Sequence, residues 1–219
     1  MEQRSYQALK AIKKEAGKSN SVYMTTVRFG QVLGFSQQSA SRLLIELEEK
    51  GYIRRKLENR KQVIEITDSG LEVLYGELNE LSRILSQDMR VVIEGEVKSG
   101  LGEGRYYVSR KGYIVQFQEK LGFIPYLGTL NVKVDPLYEG NLRRMRSSEG
   151  IRIEGFKTED RTFGAVKAFR ARIGGEDCAV ILPERSVYTD TIEVISKEYL
   201  RGKLGLKDGS RVRVTVDLS

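Results

Sequence analysis

Histidine and tryptophan are absent from the 219 residues, and cysteine occurs once, at Cys178. Without histidine there can be no Ser-His-Asp triad, no Cys-His pair and no His-ligated metal. A single cysteine removes intrachain disulfides and Cys-cluster zinc sites and is compatible with a reducing compartment. Cys178 stands at the head of the apolar run Cys178-Ala179-Val180-Ile181-Leu182 and reads as a small core residue rather than a nucleophile. No apolar run approaches the roughly 20 residues of a membrane span, and the N-terminus carries no cationic-apolar-cleavage pattern. The expectation is a soluble cytoplasmic protein. Acidic residues are outnumbered, 30 against 37 basic, giving a net charge of +7. That balance admits anionic partners such as nucleic acid or nucleotides. A generically basic surface explains it equally well.

The chain changes character near Asp88, which predicts two domains, residues 1–87 and 88–219, without a long Gly/Ser/Pro linker. The first part reads helical. Tyr6, Leu9, Ile12 and Ala16 fall at helical spacing over residues 5–16, before Gly17. A second helix over residues 25–33 ends at Gly34. A third opens at Ser36 as N-cap and stops at Gly51, with Ala40, Leu43, Leu44 and Leu47 inward. The short link Gly34-Phe35-Ser36 suits a helix-turn-helix. Strands over residues 52–56 and 62–67 flank a turn holding Glu58, Asn59, Arg60 and Lys61. A fourth helix over residues 71–85 follows Asp68-Ser69-Gly70. Three helices and a basic hairpin are the winged-helix layout.

In that layout the outward side of the third helix carries Gln37, Gln38, Ser41 and Arg42, groups able to reach base edges of double-stranded DNA. Arg54, Arg55, Lys56, Arg60 and Lys61 cluster in the hairpin, where they could pair with phosphates. A solvated face of a protein-interaction domain is the plainer alternative. The run from Gln31 to Arg42 followed by Leu47-Glu48-Glu49-Lys50-Gly51-Tyr52-Ile53 resembles transcription regulators of the multiple-antibiotic-resistance type. On the fourth helix Leu71, Leu74, Tyr75, Leu78, Leu81 and Leu85 form an apolar stripe. It would pair with a second copy in a homodimer or pack within the chain, and Gly76 weakens a long coiled coil.

The second half alternates short apolar strands with glycine turns, the pattern of a closed barrel. Strands are expected over residues 91–97, 106–108, 130–134, 151–154, 163–171, 179–182 and 212–216, with short helices over 112–121 and 197–204. Three segments carry chemistry. Ser99-Gly100-Leu101-Gly102-Glu103-Gly104-Arg105-Tyr106-Tyr107 alternates glycines so that amides can face an anion, yet it is no Walker A loop. Gly128-Thr129-Leu130-Asn131 puts a hydroxyl and an amide on one strand face; these are hard oxygen ligands, or an ordinary polar strand edge. The third runs from Leu182 through Ser186, Glu193 and Lys197-Glu198-Tyr199-Leu200-Arg201 to Leu206-Lys207-Asp208-Gly209-Ser210.

Together, Gly-Leu-Gly-Glu-Gly-Arg at 100–105, Gly-Thr-Leu-Asn at 128–131, Arg-Thr-Phe-Gly at 161–164 and Leu-Arg at 200–201 resemble the archaeal CTP-dependent riboflavin kinase family. The resemblance implies a six-stranded cradle-loop β-barrel, so that the chain is a multi-domain α+β protein. It implies phosphoryl transfer from CTP to the riboflavin 5′-hydroxyl, giving FMN and CDP. Some family members carry an N-terminal winged helix that regulates riboflavin-related genes. Leu101, Gly102, Glu103, Gly104, Arg105 and Tyr106 would wrap the cytidine nucleotide, with Glu198, Tyr199, Leu200 and Arg201 on its other side. Thr129 and Asn131 would hold Mg²⁺, and Ser186 and Glu193 would contact the flavin. This sequence departs from the family in having Ser186 where Thr is usual, one residue closer to Glu193; Thr189 or Thr191 offers another hydroxyl. A general base must be a carboxylate or a water chain, and Glu193 is the candidate. Two other readings are a flavin- or nucleotide-sensing regulator without turnover, and a kinase whose first domain only dimerises.

Overall fold

The computed structural model describes residues 3–85, 88–100, 103–159, 161–183 and 190–219. The chain divides into two compact units, Met1–Leu81 and Ser82–Ser219.

The first unit runs α1 (Gln3–Ala16), β1 (Ser21–Tyr23), α2 (Thr26–Leu33), α3 (Gln37–Glu49), β2 (Ile53–Glu58), β3 (Lys61–Ile66) and α4 (Asp68–Ile84), and the division between units falls inside α4. Local chemistry sets the helix ends. Thr25 accepts from the Arg28 amide and Ser36 from the Ser39 amide, satisfying N–H groups that a helix start leaves open. Gly34 closes α2 at φ 70°, a left-handed conformation that favours glycine. Gly30 lets α2 approach α3, because a Cβ there would stand 2.8 Å from the Phe35 carbonyl oxygen. Leu9, Ile12, Phe29, Leu43, Leu44 and Leu47 fill the core beneath.

Antiparallel strands in the order β1-β3-β2 close this unit. The strand at Ser21–Tyr23 has no alternation long enough to announce it; β3 recruits it through the register Val22↔Ile64. Helix-turn-helix plus a three-stranded wing is the winged helix-turn-helix fold expected. On α4, Leu71 is buried and Leu74 and Tyr75 pack on the same core, whereas Leu78, Leu81, Ile84 and Leu85 are exposed.

The second unit continues with β4 (Arg90–Lys98), α5 (Glu103–Val108), α6 (Lys111–Leu121), β5 (Leu130–Val134), a 3₁₀ turn (Pro136–Tyr138), α7 (Glu139–Ser147), β6 (Ile151–Ile153), β7 (Phe156–Lys157), β8 (Thr162–Phe163), β9 (Val166–Ile173), β10 (Glu176–Pro183), β11 (Thr191–Ile195), α8 (Leu200–Lys203) and β12 (Arg211–Asp217). The strands pair in the order β10-β11-β5-β4-β12-β9, and β9 pairs again with β10, closing a six-stranded antiparallel barrel. β9 does so because it serves three neighbours. Val214, Thr215 and Val216 of β12 face its end at Ile173, Arg172 and Ala171. The short β6 joins its beginning, from Ile151↔Ala168 to Ile153↔Val166. β4, β5 and β12 alternate, with Ile93, Val132 and Val214 fully buried inside, whereas β10 is buried on both faces from Cys178 to Leu182: Val180 lies in the barrel core, and Ala179 and Ile181 lie in a second cluster with Phe117 and Phe163.

Three expectations need correction. Residues 106–108 belong to helix α5, not a strand. Tyr106, Tyr107 and Val108 have strand-like propensity, but packing overrides it: both rings lie against Phe163, at 6.2 Å stacked and 6.1 Å edge-on. The helix expected over residues 197–204 forms only over Leu200–Lys203, and the chain bends at residues 197–198, after the end of β11 at Ile195. The strand expected over 163–171 is interrupted at Gly164-Ala165 between β8 and β9.

Cys178 is buried, and loss of solvent pushes its thiol up to about 12, with Asp177 adding to the shift. The native protein should therefore resist iodoacetamide at pH 8 and be labelled at one site after unfolding in guanidinium. Labelling of the native protein at the rate of free cysteine would contradict this burial.

Candidate functional site

The barrel's outer face carries the polar set. On β5, Leu130, Val132 and Val134 are buried, so Thr129, Asn131 and Lys133 point outward between them. In register, Asn131 stands between Lys98 of β4 and Glu193 of β11, and these three outward residues form one cross-strand row. The next row places Lys133 between Glu96 and Thr191, and the Lys133 ammonium is 3.6 Å from Asp190.

Gly100 and Gly104 lie against this strand face. A Cβ added at Gly104 would collide with the Thr129 Oγ1, and one at Gly100 would collide with the Asn131 side chain. Backbone rests on side chain at both places, so any other residue would have to push the Asn131 or Thr129 side chain aside. The Asn131 amide nitrogen is the atom nearest Gly100, with Oδ1 turned away at 3.6 Å from the would-be Cβ. Arg105 and Tyr106 are exposed on α5. Behind them Arg161 donates to the Tyr107 hydroxyl at 2.6 Å, and the Arg110 guanidinium covers the Tyr106 ring at 3.7 Å. The Arg161-Thr162-Phe163-Gly164 motif thus supports α5.

Glu198, Tyr199, Leu200 and Arg201 line a cleft of about 230 Å³ together with Thr129 and Ser196. Tyr199 and Tyr126, both about half exposed, face each other with ring centroids 5.1 Å apart. Leu200 turns its side chain into the barrel core, so it offers the cleft only backbone. Arg201 donates to the Lys98 carbonyl at 2.9 Å and pairs with Asp208 at 2.8 Å. Asp208 also accepts from the Ser99 hydroxyl at 2.7 Å. The Ser99 hydroxyl and the Arg201 guanidinium together hold its carboxyl below the usual carboxylate range.

The structure therefore brings Gly104, Arg105, Tyr106, Thr129, Asn131, Glu193 and residues 198–201 to one side of the barrel. Leu101, Gly102, Ser186 and Thr189 lie outside the described residues, and Glu103 is described only as the start of α5. Sequence reasoning gave Asp208 no role. Its signal was the spacing Lys207-Asp208-Gly209-Ser210 before the last strand, with nothing to name its partners.

In the first unit Gln37, Gln38 and Arg42 are exposed on α3, and Ser41 is half-buried. Arg54, Arg60 and Lys61 are exposed on the wing. Arg55 differs: its Nε and Nη2 donate to Glu48 at 2.9 and 2.6 Å, which ties the wing to α3. That guanidinium holds the Glu48 carboxyl below its ordinary range. Lys56 pairs with Glu58 at 2.9 Å and Glu65 at 3.8 Å.

The chain belongs to the CTP-dependent riboflavin kinase family. The model of that family (CTP-dep_RFKase, Domain of unknown function DUF120) matches residues 97–216. The chain is similar over nearly its whole length to "Riboflavin kinase" of Thermoplasma acidophilum, 59% identical over 211 residues covering 96% of each chain. It is 46% identical to "Riboflavin kinase" of Archaeoglobus fulgidus over 213 residues, 97% of this chain and 91% of that one. A solved structure, "S. aureus MepR G34K Mutant", aligns with 38% of this chain and 62% of its own at 21% identity and a TM-score of 0.31, too slight a likeness to bear on the fold. No helix among the described residues is long and apolar enough to cross a membrane.

The wing tip makes one prediction. Asn59 and Arg60 have φ of 50° and 63°, the geometry of a two-residue hairpin that favours glycine at its second position. Arginine there costs about 1 kcal/mol. Arg60→Gly should raise the stability of the first unit by roughly that amount, read as a shift in the denaturant midpoint; a loss of stability would contradict the strain.

Proposed function

We propose that this chain transfers a phosphoryl group from CTP to the 5′-hydroxyl of riboflavin, yielding FMN and CDP, and that its first unit binds double-stranded DNA. The observation that carries the kinase reading is the seating of Gly100 and Gly104 on Asn131 and Thr129. It puts backbone amides, a hydroxyl and an amide oxygen beside a cleft walled by Glu198–Arg201.

Phosphoryl transfer needs alignment and charge neutralisation more than covalent chemistry, which suits a chain without histidine. The glycine turn and Arg105 would cradle the phosphates, with Arg201 facing them from α8. Thr129 and Asn131 would hold Mg²⁺. The fit is favourable, because two neutral oxygen donors beside a phosphate site match a cation that completes its shell with phosphate and water. Among the described residues no cluster of three acidic groups competes for that role. Mg²⁺ bound there supplies charge neutralisation to the triphosphate. Glu193, in register with Asn131, is positioned to accept the proton of a hydroxyl brought to that row. Ser186 is proposed to contact the flavin.

The test is purified protein with riboflavin, Mg²⁺ and either CTP or ATP, with FMN separated by chromatography. FMN is expected with CTP and little with ATP; no FMN from either rejects the kinase reading. Asn131→Ala should lower turnover at least about a hundredfold with an unchanged circular dichroism spectrum.

For DNA, the N-terminal end of α3 would enter the major groove with Gln37, Gln38, Ser41 and Arg42, and Arg54, Arg60 and Lys61 would meet phosphates. Arg55, engaged with Glu48, would act by holding the wing. Binding to duplex DNA from upstream of flavin genes should weaken steeply with salt. Arg60→Gly should reduce the slope of log K against log salt by about one. Salt-independent binding, or none, would sink this half of the proposal.

A further inference from the structure

The segment at residues 206–210 has no part in the roles assigned above, yet it holds two parts of the site together. Asp208 uses both carboxylate oxygens: Oδ2 accepts from the Ser99 hydroxyl at 2.7 Å and Oδ1 pairs with the Arg201 guanidinium at 2.8 Å. The same guanidinium donates to the Lys98 carbonyl at 2.9 Å. The turn itself is fastened to β4, because the Gly209 amide donates to the Val97 carbonyl and the Val97 amide to the Ser210 carbonyl, both at 2.9 Å.

Ser99 immediately precedes Gly100, whose backbone sits on Asn131. Arg201 lines the cleft that Thr129 shares. One carboxylate therefore joins the root of the glycine turn to the arginine of α8.

Its exposure argues against a stabilising role. The Asp208 side chain is 51% exposed, and ion pairs in such settings contribute little to folding. What an exposed bidentate carboxylate can do is fix two donors at one separation. Phosphoryl transfer depends on such placement, since a misplacement of about 1 Å can lower a rate on the order of a hundredfold.

We propose that Asp208, acting with Ser99, is a positioning residue that sets Gly100 and Arg201 at the spacing required by a cytidine di- or triphosphate. This rests on the nucleotide reading given under the proposed function. Asp208 itself touches no phosphate, because its two oxygens face Ser99 and Arg201.

The test compares the full-length protein with Asp208→Asn, Ser99→Ala and the double variant. Asparagine keeps an acceptor for Ser99 and removes the charge opposite Arg201. CDP binding by titration calorimetry and the KM values for CTP and riboflavin are measured beside the melting temperature. Asp208→Asn should weaken CDP and raise the KM for CTP on the order of tenfold. The KM for riboflavin should stay within about twofold and the melting temperature within about 2 °C. The double variant should be little worse than Asp208→Asn, since both changes open the same link.

Unchanged CDP affinity in Asp208→Asn overturns the proposal. So does a parallel loss of both KM values and of melting temperature, which would mark a structural residue. Absence of FMN from the unmodified protein would instead reject the kinase reading, and the CDP titrations would still decide whether Asp208 orders a nucleotide site.

Discussion

Close approach without a Cβ is the constraint on which the barrel site depends. Gly100 and Gly104 bring main chain down onto Asn131 and Thr129, and any side chain at either position would occupy the space of the polar groups beneath. A side chain at either position would therefore have to displace the Asn131 or Thr129 side chain. The strand face that carries them is fixed in turn, because β5 is bonded on both sides, to β4 and β11, and its alternate residues Leu130, Val132 and Val134 are anchored in the core. A neutral hydroxyl and a neutral amide become a defined pair of oxygen donors through packing. In the reading proposed above, this is how a chain without histidine and with one buried cysteine assembles a phosphate-handling site.

Closure of the barrel supplies the rigidity this requires. β9 bonds to β10 along its length and to β12 at one end, so no edge is left open around the ring. The polar row Lys98–Asn131–Glu193 crosses three successive strands of that ring. Its spacing is a property of sheet geometry rather than of flexible loops. Aromatic packing then holds α5, and with it Gly104, against the barrel through Phe163, Tyr107 and Arg161.

Much of this organisation is legible in the sequence, for identifiable reasons. The helix-turn-helix is written in local signals: Ser36 caps α3, Gly34 ends α2, and Ala40, Leu43, Leu44 and Leu47 mark the inward stripe. The barrel strands β4, β5 and β12 are visible through alternation and β10 as a continuous apolar run, and the grouping of Thr129 with Asn131 is visible too, but β11 is not among the strands the sequence announces. The missed elements had weak local signals or conflicting ones. Tyr106-Tyr107-Val108 has strand propensity and becomes helix because Phe163, remote in sequence, offers the rings a surface. Helix α7 was overlooked although Asp135 and Pro136 announce a helical start and Leu142 and Met145 lie three apart on its buried side. Arg55 and Arg54 look alike in the sequence, and only the fold shows that one of them is bonded to Glu48.

Asp208 shows where local reading ends. Its hydrogen bond to Ser99 spans 109 residues of chain, and the bond from Arg201 to Lys98 spans 103. No periodicity or motif spacing encodes a partner at that distance; only the return of β12 beside β4 creates the pair. The glycine turn leaves β4 just where the turn before β12 arrives, and the Gly209 and Val97 backbones bond there. The last strand of the chain must consequently be in place before the root of the turn is anchored. Barrel closure and assembly of the site are then one event, and a chain that stops short of β12 would lose the anchor along with the strand that completes the ring.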